Sequence, residues 1–379
     1  MNQHKPPQAM TLFDLIARRW ELDGAVRQVR FNASGTSLAA ILEDGRMAFV
    51  SVKDLEDPES RVRIEADTGR TSIRPRAKPL PVPVVTKTPV AQADVAMCRL
   101  GAQGFAFAQL ETGALWRATA RGQTLAVKHA GDSVVTALAD APQTGQIVRA
   151  CGYELTLMGK DDGAEIASVE LTHDISRIAF SADGRLLGCF GSGQMSIVTV
   201  DGFKAGSVIA CEGGDVLDLA WSPCARWLVA GCRDKALLLV DVTAGTSDRI
   251  VDFPDAVRAV DFSTEAGAMI AAGAFRVAGW TLPDLPFGDH EGAPIETGKP
   301  GLMVVDLVAA HPTRDLCAVS YANGLVLVCR VAHPDEMLLR EGTGARAQAL
   351  AWTDDGAHLA IGDADGGLSI ATFPKNMFK

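Results

Sequence analysis

Residues 174–214 read DISRIAFSADGRLLGCFGSGQMSIVTVDGFKAGSVIACEGG, and residues 215–254 continue as DVLDLAWSPCARWLVAGCRDKALLLVDVTAGTSDRIVDFP. The two stretches repeat one pattern, in which Phe180, Trp221 and Phe262 hold the same place and follow one another at equal spacing. Each stretch divides into four short apolar segments that are separated by turn residues. A repeat of about 40–45 residues with four strands per unit is typical of a β-propeller blade.

The same unit recurs along the chain. Residues equivalent to Ile178 follow one another at nearly constant steps, except for one much longer step after the first unit. The sequence therefore predicts an all-β fold, a single propeller of eight four-stranded blades. The equivalent residues are Val29, Cys98, Leu138, Ile178, Leu219, Val260, Leu307 and Leu350.

The two ends of the chain complement each other. The last unit stops after its third strand near Phe373, and an unassigned strand at about Ala17 to Leu22 precedes the first unit. This strand can supply the missing fourth strand, and closure of the ring removes sheet edges that would promote aggregation. We expect an N-terminal tail at 1–16 and a propeller at 17–379. It carries a Pro/Arg-rich insertion at about 54–92 and a shorter one at 283–300, between the third and fourth strands of the sixth unit.

Composition limits the classes of function. The chain has 36 Lys and Arg against 46 Asp and Glu, and its net charge of -10 disfavours binding to nucleic acid or to anionic membranes. An apolar leader and a run of about 20 apolar residues are both missing from the sequence. The cysteines are scattered through strand segments, which favours thiols in the core of a cytoplasmic protein.

The pattern V-x-x-V-x-F-S-x-D-G-x-x-L-x-x-G, followed by a hairpin and a third strand, resembles the WD-repeat β-propeller family. The resemblance is clearest at 174–262 and 347–373, and the repeats are degenerate elsewhere. The Trp-Asp pair that ends the family's third strand is reduced to Val200-Asp201 and Val240-Asp241. The family's Gly-His survives at most as Thr172-His173, so its structural hydrogen-bond relay does not carry over.

Seven blades is the commonest number in that family, whereas the spacing in this chain gives eight. The stretch from Asp94 to Asp174 has twice the length of one repeat and therefore requires two blades. We expect eight blades, with seven as the alternative.

Motifs for catalysis are weak in this sequence. The seven histidines form no pair of the His-Glu-x-x-His kind, and a Gly-x-Ser-x-Gly elbow is missing. The segment GAPIETGK at 292–299 has five residues between its glycines and continues into Pro300, whereas a phosphate loop has four and continues into Ser or Thr. We therefore expect no catalytic residues, no metal and no cofactor.

An aspartate precedes the first strand in six of the eight units. Connections from a fourth strand to the next first strand share one face of a propeller, so these residues are expected to form an acidic rim there. The rim would recruit a basic partner or a metal ion, while the structural alternative is that each Asp accepts backbone N–H bonds in its turn. The six are Asp23, Asp94, Asp132, Asp174, Asp215 and Asp255.

The first insertion is both basic and rich in proline. Five prolines favour an extended polyproline-like segment, and no acidic residue lies between Arg70 and Lys87. The repeat pattern predicts that the insertion joins a fourth strand to a first strand, so we expect it on the same face as the acidic rim. We interpret it as a docking element, with a solvated, disordered insertion as the alternative. The expected contact residues are Arg70, Arg74, Arg76 and Lys78.

Phe275 and Arg276 fill the second hairpin turn of the sixth unit, where other units carry Asp, Gly or Asn. An aromatic residue beside an arginine is enriched at interface hot spots. Arg27 and Arg258 occupy matching positions near the starts of two first strands and would add cationic points on that face. The alternative is an ordinary turn with arginines whose stems cover apolar surface.

These features predict a non-catalytic scaffold for protein–protein interaction. It would present the acidic rim and the basic loop to a protein or peptide partner, as a monomer or as a subunit of a hetero-complex. The alternative is an enzyme or a metal-dependent binder that uses aspartates at the central channel, where oxygen ligands would suit Ca²⁺ or Mg²⁺.

Overall fold

The computed structural model describes residues 10–64, 67, 71–127 and 134–378. A short helix α1 (Leu12–Ile16) and a strand β1 (Ala17–Glu21) precede eight antiparallel sheets, which are numbered as blades 1 to 8 along the chain. Blade 1 consists of β2 (Val26–Phe31), β3 (Ser37–Leu42), β4 (Met47–Ser51) and, after a 3-10 turn (Glu59–Arg61) and the hairpin of β5 (Val62–Ile64) and β6 (Thr71–Ile73), β7 (Val84–Val85).

The other blades follow in order. Blade 2 consists of β8 (Cys98–Leu100), β9 (Gly104–Ala108), β10 (Leu115–Thr119) and β11 (Thr124–Ala126). Blade 3 consists of β12 (Ala137–Asp140), β13 (Ile147–Cys151), β14 (Glu154–Met158) and β15 (Glu165–Glu170). Blade 4 consists of β16 (Arg177–Phe180), β17 (Leu186–Gly191), β18 (Gln194–Thr199) and β19 (Lys204–Ala210). Blade 5 consists of β20 (Val216–Trp221), β21 (Trp227–Cys232), β22 (Ala236–Asp241) and β23 (Thr246–Ile250).

Blade 6 has three strands, and blades 7 and 8 complete the ring. Blade 6 consists of β24 (Val260–Ser263), β25 (Ala268–Ala271) and β26 (Ala278–Thr281). Blade 7 consists of β27 (Val305–Ala310), β28 (Leu316–Tyr321), β29 (Val326–Arg330) and β30 (Glu336–Arg340). Blade 8 consists of β31 (Ala347–Trp352), β32 (His358–Asp363), β33 (Gly367–Thr372) and β1.

The ring is closed by the N-terminal strand. β1 pairs antiparallel with β33, in a register that runs from Ala17 opposite Ala371 to Glu21 opposite Gly367. The first strands of neighbouring blades contact one another around the ring, and β2 of blade 1 contacts β31 of blade 8. The predictions of an all-β propeller, of eight blades and of closure by an N-terminal strand are therefore confirmed.

Apolar side chains on both faces of the inner strands form the core between blades. In blade 5, Leu228 and Leu238 pack towards blade 4, while Val229 and Leu239 pack towards blade 6. This two-residue alternation is that of a strand buried on both faces, which explains the continuous apolar run at 236–240. Each fully buried Leu or Val contributes about 2 kcal/mol of hydrophobic free energy. Six cysteines are buried in the same core, and burial raises the pKa of Cys211 to about 11.

The helix that precedes the closing strand packs against the ring. In α1, the side chain of Thr11 accepts a hydrogen bond from the Asp14 backbone N–H while the Asp14 carboxylate accepts one from the Thr11 N–H, which caps the helix. Phe13 and Ile16 are buried against blades 7 and 8. A membrane-spanning helix is not found among the described residues.

Part of the second insertion pairs with the third strand of blade 6. Residues 293–297 run along the edge of β26. The Thr281 N–H donates to the Ala293 carbonyl, and the Ile295 N–H donates to the Gly279 carbonyl, both at 2.9 Å. The insertion thus covers the outer edge of blade 6. Pro294, which has no N–H, sits opposite Trp280, so this pairing is limited to isolated bridges.

Candidate interaction surfaces

The strand order gives the propeller two different faces. Connections from a fourth to a first strand and from a second to a third strand lie on one face, called the upper face below. Connections from a first to a second strand and from a third to a fourth strand lie on the opposite, lower face. The central channel opens on the upper face through a cavity of about 330 Å³, whose lining includes Arg27, Asp94 and Arg177.

The described aspartates of the predicted rim lie in upper-face connections, and most of them are exposed. Asp215 forms an ion pair with Arg233 at 3.4 Å, and half-buried Asp255 accepts a hydrogen bond from the Ala256 N–H at 2.7 Å. Asp132 lies outside the described residues. Local turn contacts therefore coexist with carboxylates that face solvent. The exposed members are Asp23, Asp94, Asp174 and Asp215.

Phe275 and Leu302 form an exposed apolar pair on the upper face, where blade 6 meets blade 7. Their side chains are 48% and 99% exposed. The Gly301 N–H donates to the Phe275 carbonyl at 2.9 Å, and the Val305 N–H donates to the Ala274 carbonyl at 2.8 Å. These bonds fix the two segments beside each other, so the apolar pair stands on a rigid support.

The sequence predicts an interface role for Phe275 but not for Leu302. The only signal at Leu302 is an apolar residue that directly follows Pro300-Gly301, at the end of a polar insertion. Its position beside Phe275 depends on the pairing of two segments that are separated by the whole second insertion, which a repeat pattern does not reveal.

The predicted cationic points are each matched by a carboxylate. Arg276 pairs with Glu296 at 2.9 Å, and Arg27 pairs with Glu43. Arg258 lies 3.3 Å from Asp306. Each of these three guanidinium groups therefore has a carboxylate partner within its own chain.

The Pro/Arg insertion lies on the lower face and the outer edge, so its predicted place on the upper face was wrong. Val84 and Val85 pair with Phe49 and Ala48 of β4, so they form the fourth strand of blade 1. The insertion at 54–83 therefore connects a third strand to a fourth. A strand of only two residues that follows four prolines is hard to recognise in a sequence. This explains why the insertion was predicted on the wrong face.

Arg76 has an internal partner at the base of the insertion. It donates to both carboxylate oxygens of Asp54, and the Nη1–Oδ1 distance is 3.0 Å. Burial alone would raise the pKa of Asp54, but hydrogen bonds from Arg76 and from the Glu56 N–H outweigh it and hold that pKa below its usual value. Arg74 and Lys78 are exposed, whereas Arg70 lies outside the described residues.

Two aspartates outside the predicted rim, Asp218 and Asp261, link neighbouring blades through the first strands. Asp218 accepts a hydrogen bond from the Val260 N–H, and Asp261 accepts one from the Ala310 N–H, both at 2.9 Å. Burial raises the pKa of Asp261 to about 6, and the nearby charge of Asp218 adds to this rise. Their signal in the sequence is a charged residue within an apolar first strand, as in VLDLAW and VRAVDF.

The described residues contain no cluster of side chains that could coordinate a metal ion. Across residues 10–64, 67, 71–127 and 134–378, no three His, Cys, Asp or Glu side chains are grouped so that they could hold a metal ion. Asp218 and Asp261 instead direct their oxygens at backbone N–H groups. These contacts give both carboxylates a structural role.

Residues that correspond to reduced repeat motifs make local contacts. His173 Nε2 lies 2.8 Å from the Ser196 hydroxyl, and its Nδ1 lies 2.9 Å from the Asp174 carbonyl. Asp241 accepts hydrogen bonds from Arg226 at 2.7 Å and from the Ala244 N–H at 3.0 Å. The Asp that remains from the motif thus fixes the turn after the third strand without a preceding Trp.

Two protein-family models match the chain. The model of the WD domain, G-beta repeat, matches residues 206–241, from the outer strand of blade 4 to the end of the third strand of blade 5. The model of the anaphase-promoting complex subunit 4 WD40 domain matches residues 308–376, across blades 7 and 8. No curated protein matches the chain significantly. Two WD-repeat models on separate parts of the ring, together with eight blades closed by an N-terminal strand, support the interpretation of this chain as a WD-repeat β-propeller.

Proposed function

We propose that this chain is a non-catalytic protein–protein interaction scaffold whose upper face binds a protein or peptide partner. WD40 propellers are typically interaction scaffolds, and the observation that carries the proposal here is the apolar pair Phe275 and Leu302. Exposed large apolar side chains on a rigid support are typical of interface cores, because their burial drives association without a large ordering cost.

The surrounding charges favour a basic partner. The exposed rim aspartates are distributed around the same face, while Arg27, Arg258 and Arg276 are paired with carboxylates of their own chain. A positive patch on the partner would gain complementary contacts and faster association. One matching model describes a subunit of a multiprotein complex, which supports a place for this chain in a hetero-complex. The proposed location, the cytoplasm, rests on the sequence.

The proposal can be tested by affinity purification of the tagged chain from its native cells, followed by quantitative mass spectrometry. We expect one protein to be recovered in near-stoichiometric amount with the wild type. The double variant Phe275→Ala and Leu302→Ala should lose about 90% or more of it, because removal of a hot spot costs about 2 kcal/mol. Binding of the purified pair should also weaken as salt concentration rises, because the rim contribution is electrostatic.

A matched control removes two apolar side chains from exposed outer strands. Ile166 and Val208 are 55% and 48% exposed and lie on β15 and β19, away from the upper face. Their replacement by Ala should leave recovery of the partner unchanged. Equal recovery with both double variants would show that the partner does not use the upper-face pair.

A further inference from the structure

Residues 74–83, here called the proline strap, are extended by their covalent structure. Prolines occupy 75, 79, 81 and 83, and each proline also restricts the residue before it. Proline fixes φ near -65°, and the preceding residue is kept out of the helical region. These two effects leave only Arg76 and Ala77 unrestricted within the strap. The strap carries no assigned strand or helix, which fits a polyproline II conformation.

Burial along residues 73–83 recurs every three to four residues, which is close to the period of that conformation. Half-buried residues occur at Ile73, Arg76, Leu80 and Pro83, at steps of three, four and three, and the described side chains between them are exposed. A polyproline II helix has three residues per turn, whereas a strand would alternate every two. One edge of the strap is therefore docked on the propeller and the rest faces solvent.

Specific contacts hold the docked edge. The Lys78 N–H donates to the Glu56 carboxylate, and the Trp20 indole N–H donates to the Pro81 carbonyl, each at 2.8 Å. Leu80 packs in the apolar cluster that contains Trp20. With the pair of Arg76 and Asp54, these contacts span the strap and fix it against blades 8 and 1.

The free side of the strap presents a basic ridge. In a helix of three residues per turn, Pro75, Lys78 and Pro81 share one side, and all three are exposed. Val82 is 88% exposed on the neighbouring side, and exposed Arg74 adds a second cation. The acidic side chains nearest to the strap, Asp54 and Glu56, bond to Arg76 and to the Lys78 backbone on the docked edge. A partner would therefore meet prolines and positive charge.

We propose that the proline strap is a second binding site, a pre-ordered polyproline ligand that is recognised by a domain with an aromatic-lined, acidic groove. Such grooves accept proline rings between aromatic side chains and read flanking cations with carboxylates. Because the propeller already holds the strap extended, binding avoids most of the ordering cost that a free peptide incurs. This inference rests on the proposed role as an interaction scaffold, but it concerns a different surface and a different partner.

The probes for the test are purified SH3, WW and EVH1 domains, which represent the aromatic-groove readers of polyproline segments. Each is titrated with the intact chain by calorimetry. We expect at least one domain with an acidic groove to bind with a dissociation constant of about 1–100 μM. The ridge variant Pro75→Ala with Pro81→Ala should weaken it at least tenfold. Lys78→Ala should weaken it about threefold and flatten its salt dependence.

Two further variants separate the ridge from its support. The control Pro89→Ala with Pro142→Ala changes two exposed prolines outside the strap and should bind like the wild type. Glu56→Ala removes the acceptor of the Lys78 N–H, so it should speed hydrogen exchange of that amide and weaken binding without altering the ridge. Thermal midpoints of the ridge variants and of the proline control should stay close to the wild-type value, since the substituted side chains are exposed.

The outcomes distinguish this inference from the upper-face proposal. Failure of every probe domain to bind with a dissociation constant below about 1 mM, or equal binding by wild type and ridge variant, would overturn the strap as a polyproline ligand. Loss of a cellular partner with Phe275→Ala and Leu302→Ala would still support the upper face in that case. Conversely, the probe domains should bind that double variant normally, because both substituted residues lie on the other face.

Discussion

Two regions of the ring share one sheet architecture but are held together differently. The first is formed by blades 4 and 5, at 177–250. The second, the closure region, is where blades 8 and 1 meet α1, β1 and residues 54–83. Within 177–250, all of which is described, Asp241 is the only charged residue that is buried. The closure region and its border with blade 7 bury several. They are Arg18, Arg61, Arg340 and Asp363.

The difference follows from where the hydrogen-bonded ladder stops. Arg18 donates to the carbonyls of Ser51 and Val52 at 2.9 and 2.7 Å, at the end of β4, and Arg61 donates to the Glu56 carbonyl at 2.9 Å. Buried carbonyls without a partner strand need another donor, because leaving them unsatisfied costs about 1–3 kcal/mol each. Regular blades satisfy their backbone by repetition, whereas the closure region uses buried arginines.

The largest loss of stability is expected from removal of the closing strand. Deletion of residues 1–22 removes α1 and β1. Because every residue of β1 pairs with β33, this deletion exposes the edge of β33. We expect aggregation or loss of a single cooperative transition, because an open propeller presents an unpaired strand edge. Light scattering and calorimetry measure both effects.

Deletion of residues 1–9 alone is the control, since it leaves α1 and β1 in place. That variant should melt as the intact chain does. An unchanged transition after deletion of 1–22 would contradict closure by the N-terminal strand.

A smaller but still large effect is expected from the buried ion pair beside the closure. Arg340 contacts both carboxylate oxygens of Asp363 at 2.7 and 2.8 Å, and both residues are almost fully buried. Asp363→Ala leaves the guanidinium buried without its counter-charge, which should lower the free energy of unfolding by about 3–5 kcal/mol. Denaturant titration measures the change.

The matched control is an exposed pair in blade 7. Arg330 and Asp315 lie 2.8 Å apart, but their side chains are 54% and 40% exposed. Asp315→Ala should cost no more than about 1 kcal/mol, because solvent screens such pairs. Similar losses for both variants would mean that burial is not what distinguishes the closure region.

The sequence predicted what repetition encodes. Phe180, Trp221 and Phe262 mark equivalent positions, and the blade number, the inner strands and the closing strand at Ala17–Glu21 follow from such spacing. Repetition is visible in one sequence because each blade must bury the same apolar positions against its neighbours.

The candidate surfaces were harder to predict, because they depend on exceptions to the repeat. Lys78 and Arg76 look alike in the sequence, but Arg76 is bound by Asp54 and Lys78 is exposed. The face of the insertion was predicted wrongly because it depended on recognising Val84–Val85 as a strand. Leu302 depended on a contact between distant segments. Pairing geometry of this kind leaves no periodic signal in the chain.

The smallest expected effect lies at the channel, where Asp261 joins blade 6 to blade 7. Because burial raises its pKa from 3.8 to about 6, the folded chain binds more protons than the unfolded chain between about pH 4 and 6. The contribution of Asp261 to the free energy of unfolding therefore decreases as pH rises through this window. Asp261→Asn carries no titrating proton, so the stability of wild type relative to this variant should be greater at pH 4 than at pH 7.

We expect that difference to be on the order of 1 kcal/mol, or about 1–2 °C in melting temperature for a chain of this length, since the half-buried carboxylate is partly screened by solvent. Thermal melts of both proteins at half-unit pH steps measure it. Asp218→Asn removes the neighbouring negative charge that adds to the rise, so it should move the window to lower pH. Parallel pH profiles for wild type and Asp261→Asn would show that this carboxylate is as well solvated in the channel as in the unfolded chain. The hydrogen bond from the Ala310 N–H to Asp261 would then join the two blades without making their stability depend on pH.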